Sequence, residues 1–421
     1  MKRKNNLIWI AICIVIIVLV LIGAWMIKNR NKDNDNEIIE KTENEPIQKE
    51  ETPKEPTLEE KIDKQIDSMS LRDKIGQMIV ISYRTLEYND DLDNILKTVK
   101  PGGFILFGEN ISTYEHVSEY VKKIKATADI PMMISIDQEG GRVQRIKNLS
   151  DANVLEIPSM YTLGKTKNKE LAKNVGKVMA SELVPFGINT DYAPCLDIFS
   201  NPNNKVIGQR AFGSDSQTVI DMAIPFSRGM EEAGIIPVYK HFPGHGDTDA
   251  DSHVELPVVN KTKEELYQNE LLPFKAAIEE GAQMIMVAHI ALPKVTGNYV
   301  PATLSKEIVG GILREELGFN GVVITDAVEM KALADNYSQE DICKMTIDAG
   351  VDIILMPQDP IKAVSTIENL VNEGTITEER IDESVKRILL VKYKNKLNEE
   401  NVLDKNSIGS QEHIDIINQI Q

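Results

Sequence analysis

Val322-Val323-Ile324-Thr325-Asp326 is a short apolar run, rich in β-branched residues, that ends on a carboxylate. A run apolar at nearly every position suits a strand covered on both faces, as in a parallel sheet. The same texture recurs upstream in Met78-Ile79-Val80-Ile81, Gly103-Phe104-Ile105-Leu106-Phe107, Met132-Met133-Ile134-Ser135-Ile136 and Ile188-Asn189-Thr190-Asp191-Tyr192. It appears again in Ile235-Ile236-Pro237-Val238-Tyr239, Met284-Ile285-Met286-Val287-Ala288 and, downstream, Val351-Asp352-Ile353-Ile354-Leu355. Asn189 and Pro237 are poor central-strand residues, so the fourth and fifth runs carry the weaker signal.

Helical spacing fills the intervals. Tyr267 to Glu280 places Leu271, Phe274, Ala277 and Ile278 on one side, and Thr377 can cap a last helix with Ile381, Val385, Ile388 and Leu389 facing inward. Eight βα units predict an α/β fold, a (β/α)8 TIM-type barrel over residues 58–396. The alternative, an open doubly wound sheet with a nucleotide site, lacks a Gly-x-Gly-x-x-Gly after its first strand and a Walker A pattern anywhere.

Outside the barrel the composition changes. Leu7 to Ile27 carries no charge and as a helix would be about 31 Å long, matching a hydrocarbon core of about 30 Å. Gly23-Ala24 is followed by Trp25 and Met26, a poor cleavage site. Residues 1–27 therefore read as an uncleaved transmembrane anchor, and 28–57 as an acidic disordered linker too poor in apolar residues to fold. Lys2, Arg3 and Lys4 before the span nearly balance Lys28, Arg30 and Lys32 after it. With the α-amino group added to the first set, the chain is expected to be single-pass in the cell membrane with its catalytic domain on the extracellular side. Residues 397–421 form a tail.

The whole chain has 47 basic and 65 acidic residues, a formal charge of −18, which argues against a nucleic-acid partner. Cys13, Cys195 and Cys343 are too few and too scattered for a disulfide scaffold or a thiolate zinc cluster.

Barrel strand ends converge on one mouth, and here they carry Asp137, Asp191, Lys240-His241, His289 and Asp326. A single such Asp reads equally well as a helix cap, but five of eight ends bearing ionisable groups predict acid/base or carboxylate chemistry in a polar cavity. The densest stretch is Lys240-His241-Phe242-Pro243-Gly244-His245-Gly246-Asp247-Thr248-Asp249-Ala250-Asp251-Ser252-His253. An EF-hand reading through Asp247, Asp249 and Asp251 fails, because Ser252 stands where glycine is needed and Val258 where glutamate is. A zinc reading through His241, His245 and His253 must contend with the Pro243-Gly244 turn. A third reading pairs Asp251 with His253, the carboxylate orienting the imidazole.

Four blocks together carry a resemblance. Lys240 to Gly246 with Asp251-Ser252-His253, Asp137-Gln138-Glu139-Gly140-Gly141-Arg142-Val143-Gln144-Arg145, Ile207-Gly208-Gln209-Arg210-Ala211-Phe212-Gly213 and Gly321 to Asp326 are similar to the signatures of glycoside hydrolase family 3 β-N-acetylglucosaminidases, in family order and across the whole barrel. The resemblance implies a retaining exo-β-N-acetylglucosaminidase without cofactor or catalytic metal. It makes Asp326 the nucleophile, His253 the acid/base and Asp251 its partner, with Asp137, Arg145, Arg210, Lys240 and His241 binding the sugar. His245 reads as a turn-stabilising residue, and no role is carried to Asp191 or His289.

The tail is too short for the second α/β domain of many family 3 proteins. The expected partners are N-acetylglucosamine-containing glycans, peptidoglycan-derived muropeptides first and chitin-type oligosaccharides second. A phosphorylase on the same scaffold, a metal-dependent hydrolase and a non-catalytic sugar-binding barrel are the competing readings, in that order.

Overall fold

The computed structural model describes residues 55–248, 256–399 and 405–420. The proposed anchor at 7–27, nearly all of the linker, and Asp251 and His253 lie outside them. Among the described residues no helix is long and apolar enough to cross a membrane.

Strands β1 (Ile79–Ser82), β2 (Gly103–Leu106), β3 (Met133–Ile136), β4 (Thr190–Asp191), β5 (Ile236–Phe242), β6 (Met284–Val287), β7 (Val322–Thr325) and β8 (Ile354–Leu355) pair in parallel, each with its sequence neighbour. β1 also pairs with β8. The ring closes through the bridge between Ile324 and Ile353, where Ile353 donates to the Val323 carbonyl and Thr325 to that of Ile353, each at 3.0 Å. This is the expected (β/α)8 barrel, and every expected strand has its counterpart.

The two weak strands hold for specific reasons. Asn189 uses its side chain as extra ladder: Oδ1 accepts from Ile134 N at 2.8 Å and Nδ2 donates to the Met132 carbonyl at 3.1 Å. Pro237 lies one residue before β5 begins to pair with β6, at Val238 opposite Met284, so its missing N–H costs that ladder nothing. β5 also runs further than expected, to Phe242, and the ladder to β6 is irregular between Tyr239 and Phe242.

One helix departs from the sequence reading. The stretch 267–280 is two helices, Lys263–Gln268 and Leu272–Glu279, the first opened by a Thr262–Glu265 capping box and the second by Pro273 in its first turn. Thr377 does cap Glu378–Lys394, accepting from Arg380 N, and its four expected inward residues are buried. The tail is docked: helix Gln411–Ile417 packs on helix Lys169–Leu183, where buried Glu182 accepts from Gly409 N and His413 Nδ1, both at 2.8 Å.

Charges at the barrel's other end serve the fold. Asp352 accepts from Val323 N and pairs with Arg314 and Arg387 at 2.5 and 3.1 Å. Lys392 is fully buried; its amine donates to Gln77 Oε1 at 2.7 Å and, among the described residues, has no carboxylate partner. Burial pushes its pKa down to about 7 from 10.5. Between those values the unfolded chain holds the extra proton, so stability rises with pH across the window and the charging penalty is complete below pH 7. Lys392→Met should therefore stabilise the fold by about 1–3 kcal/mol at pH 7, after the loss of the Gln77 partner. The gain should shrink towards pH 10. Denaturant midpoints of both proteins at several pH values check this, and a less stable variant at neutral pH would contradict it.

Candidate active site

Asp137, Arg145, Arg210, Lys240, His241 and Asp326, six of the eight residues singled out from the sequence, line one cavity of about 710 Å³ at the C-terminal mouth of the barrel. The other two, Asp251 and His253, lie outside the described residues. Their described neighbours are anchored: Thr248 accepts from Asn204 Nδ2, and Val259 donates to Ala291 while Ala291 donates to Pro257.

The cavity wall is built on a carboxylate the sequence reading passed over. Glu139 is buried and takes a bidentate pair from Arg210 at 2.7 and 2.8 Å, with the Lys240 ammonium at 2.5 Å. Burial pushes its pKa up, but Arg210 and Lys240 outweigh that and hold it well below the usual range. Lys240 also donates to Asp137 Oδ1 at 2.8 Å, and Asp137 with Glu139 keeps the buried ammonium charged against its own desolvation. Arg145 reaches Asp137 Oδ2 at 3.5 Å, while its buried Nε has no hydrogen-bond partner among the described residues. The loop holding Arg145 is set by Gln138, whose Oε1 accepts from Arg145 N.

A second missed carboxylate, Asp197, organises the histidines. Its Oδ2 accepts from His241 Nδ1 at 2.6 Å and from the Cys195 thiol at 2.9 Å, and its Oδ1 accepts from His245 N at 2.5 Å. His241 Nε2 sits 3.1 Å from an Arg210 nitrogen. Arginine can only donate, so Nε2 accepts and the ring proton lies on Nδ1. His245 Nδ1 bonds Thr248 Oγ1 at 2.8 Å, and burial, reinforced by His241, lowers its pKa to about 4. It braces the turn, in keeping with the sequence reading. Gly246 permits this packing: a Cβ there would lie 1.8 Å from the Ile198 carbonyl oxygen.

Asp326 follows β7 directly. Its N–H donates to Val287 and its Oδ1 accepts from Ala327 N at 2.8 Å. Burial raises its pKa, but His241, His289, the Ala327 N–H and Lys240 together lower it below the ordinary value. The carboxylate is ionised at neutral pH. His289 supports the following loop: Nε2 donates to the Ala327 carbonyl at 3.0 Å, and Nδ1 lies 2.8 Å from the Thr303 hydroxyl, which itself donates to the Ala288 carbonyl. Asp191 lies buried beside Lys240, Asp137 and Glu139; Oδ1 accepts from Gln138 N, Oδ2 has no hydrogen-bond partner among the described residues, and burial pushes its pKa well up. At the rim, Arg84 pairs with Glu329 at 2.7 Å and lies 4.3 Å from the centre of the Phe107 ring.

Glu139 and Asp197 left one sequence signal each: an acid within a few residues of a strand end, inside an otherwise apolar or glycine-bounded stretch. The arrangement presents a fixed anion, Asp326, at a cavity in which Arg210 and Lys240 are held in place by Glu139 and Asp137. Such a site offers a carboxylate for attack and charge-assisted donors for several hydroxyls of one polar ligand.

Residues 70–391 match the glycosyl hydrolase family 3 N-terminal domain. A β-hexosaminidase of Tolumonas auensis is 35% identical over 297 residues, covering 70% of this chain and 86% of that one. Beta-hexosaminidase A of Pseudoalteromonas piscicida is 33% identical over 332 residues; the match takes in 72% of this chain but only 55% of that longer relative. The solved structure of a family 3 β-N-acetylglucosaminidase from Paenibacillus sp. str. FPU-7 superposes with a TM-score of 0.80 at 36% identity, over 84% of this chain and 68% of that one. The family match spans nearly the whole barrel together with its mouth, and this chain belongs to glycosyl hydrolase family 3 as a glycoside hydrolase.

Proposed function

We propose that the enzyme is a retaining exo-β-N-acetylglucosaminidase that works through a covalent glycosyl-Asp326 intermediate. The observation that carries this reading is the ionised Asp326 at a strand end, opening into the cavity that Lys240, Arg210, Arg145, Asp137 and His241 line. The relatives named β-hexosaminidase supply the sugar class.

In this mechanism Asp326 attacks the anomeric carbon of a terminal non-reducing N-acetylglucosamine as His253 protonates the departing oxygen. Water then attacks the glycosyl ester while His253 takes its proton, which returns the β configuration. Asp251 orients the imidazole. Lys240, Arg210 and Arg145 bind ring hydroxyls and the acetamido oxygen in the fixed geometry that Glu139 and Asp137 impose. The substrates we favour are peptidoglycan-derived N-acetylglucosaminyl–N-acetylmuramic acid fragments, with residues 7–27 anchoring the chain in the cell membrane and the barrel outside. Retention of the full-length protein in membranes after alkaline carbonate washing supports that placement, and its release argues against it.

The assignment of His253 is tested by leaving-group dependence. His253→Ala should lower turnover on a disaccharide by about 10²–10⁴-fold. It should hurt an activated aryl glycoside far less in the glycosylation step, leaving a burst followed by slow turnover. Asp251→Ala should show the same pattern more mildly. Equal losses on both substrates at rates limited by glycosylation would remove His253 from the mechanism. Running the assays in phosphate separates hydrolysis from phosphorolysis: free N-acetylglucosamine supports the hydrolase, and its 1-phosphate supports the phosphorylase.

A further inference from the structure

The proposed reaction uses His241 but leaves Cys195 without a task. The Cys195 Sγ, a carboxylate oxygen of Asp197 and a ring nitrogen of His241 lie within 4.8 Å of one another, and all three residues are buried. Two donors converge on one atom: Asp197 Oδ2 accepts the thiol at 2.9 Å and His241 Nδ1 at 2.6 Å. We propose that this thiol–carboxylate–imidazole cluster is an inhibitory binding site for a thiophilic divalent cation, zinc or cadmium.

The ligand set decides the class of ion. Thiolate and imidazole favour zinc and its softer congeners, while magnesium and calcium need oxygen ligands throughout. Three protein ligands leave one position of a tetrahedral ion for water. With metal–sulfur bonds of about 2.3 Å and metal–nitrogen and metal–oxygen bonds of about 2.0–2.2 Å, ligand atoms stand roughly 3.3–3.7 Å apart. The observed pairs must therefore open by about 1 Å or less. His241 borders the cavity and gives an ion its way in.

The step balances without redox chemistry. The S–H bond breaks and its proton leaves to solvent; the His241 proton moves from Nδ1 to Nε2; bonds form from the metal to Sγ, Nδ1 and the Asp197 oxygen. One divalent cation enters, one proton leaves, and the cluster's charge rises from −1 to neutral.

Inhibition follows from the ring's changed tautomer. In the metal-free enzyme Nε2 accepts from Arg210 at 3.1 Å. Once the metal holds Nδ1, Nε2 carries a hydrogen that faces the Arg210 donor. The contact turns repulsive, and His241 and Arg210 can no longer occupy their present positions together. This consequence rests on the proposed sugar-binding role of both residues, whereas occupancy of the site does not.

The test uses the full chain, stripped by a chelator and titrated with cadmium chloride. We expect a thiolate-to-cadmium charge-transfer band saturating at one equivalent, with a parallel rise in KM for an aryl N-acetylglucosaminide that chelator reverses. Cys343→Ala should retain the band. Cys195→Val, close in size and checked for its fold by circular dichroism, should lose it and need about 10–100-fold more cadmium for half-inhibition. A band of equal size in Cys195→Val, or no band in the parent enzyme, overturns the site; a band without inhibition overturns its effect on the sugar site. An enzyme inactive on N-acetylglucosaminides would fail the proposed function, and the spectral result would still decide the metal site.

Discussion

Asp326→Asn is expected to lower turnover of an N-acetylglucosaminide by about three orders of magnitude or more, with the fold intact. The amide keeps an oxygen for the Ala327 N–H, which meets Asp326 Oδ1 at 2.8 Å, and preserves the side chain's shape. What it loses is the anion that the surrounding groups keep ionised. Since the missing group is the proposed attacking atom, kcat should fall on disaccharide and aryl substrates alike, in contrast to the split expected for His253→Ala. KM for the ground-state sugar should change much less. A variant with near-normal kcat and an unchanged thermal midpoint would remove Asp326 from the reaction.

Glu139→Gln should be the most damaging change among residues outside the proposed bond-making pair. Three charge-assisted contacts from Arg210 and Lys240 end on this buried carboxylate. Removing its charge takes the bidentate partner from the Arg210 guanidinium and leaves the buried Lys240 ammonium with Asp137. Breaking a buried pair by neutralising one partner costs about 3–5 kcal/mol. The expected result is a lower thermal midpoint and a KM raised about tenfold or more, because Arg210 loses its bidentate anchor and Lys240 keeps Asp137 alone of its two carboxylates.

The pH dependence gives the sign. Glu139 has a folded pKa held below its unfolded value, so its contribution is complete above the ordinary glutamate pKa of about 4.3 and fades as pH falls below that. The stability gap between parent and variant should therefore narrow in acid. A gap independent of pH between 6 and about 3 would show that Glu139 acts through packing and not through charge.

These two residues also mark how far the sequence could be read. Asp326 was legible because a β-branched run ends on it, and barrel geometry sends every such end to one mouth. Asp137, Lys240 and His241 were legible for the same reason, and all of them border the cavity. Glu139 and Asp197 were not. Their importance lies in partners 71 and 44 residues away, Arg210 and His241, and no local pattern encodes such pairs.

The single helix expected over 267–280 failed for a related reason. Its apolar spacing continues across Asn269-Glu270-Leu271, while the break is made by Leu271 N–H bonding back to Leu266 and by Pro273 opening a new turn. Asn189 inverted its propensity by lending its side-chain amide to the β3 ladder, a tertiary contact that outweighs a poor local preference.

The measurement that tests the central claim most directly is peptide mass spectrometry of the enzyme after reaction with a 5-fluoro N-acetylglucosaminyl fluoride, a reagent that slows hydrolysis of a glycosyl-enzyme. Our account predicts one fluorosugar attached by an ester to Asp326, absent in Asp326→Asn, with the β-anomer released first when normal substrate is followed by NMR. An adduct on another residue, or first release of the α-anomer, would contradict it.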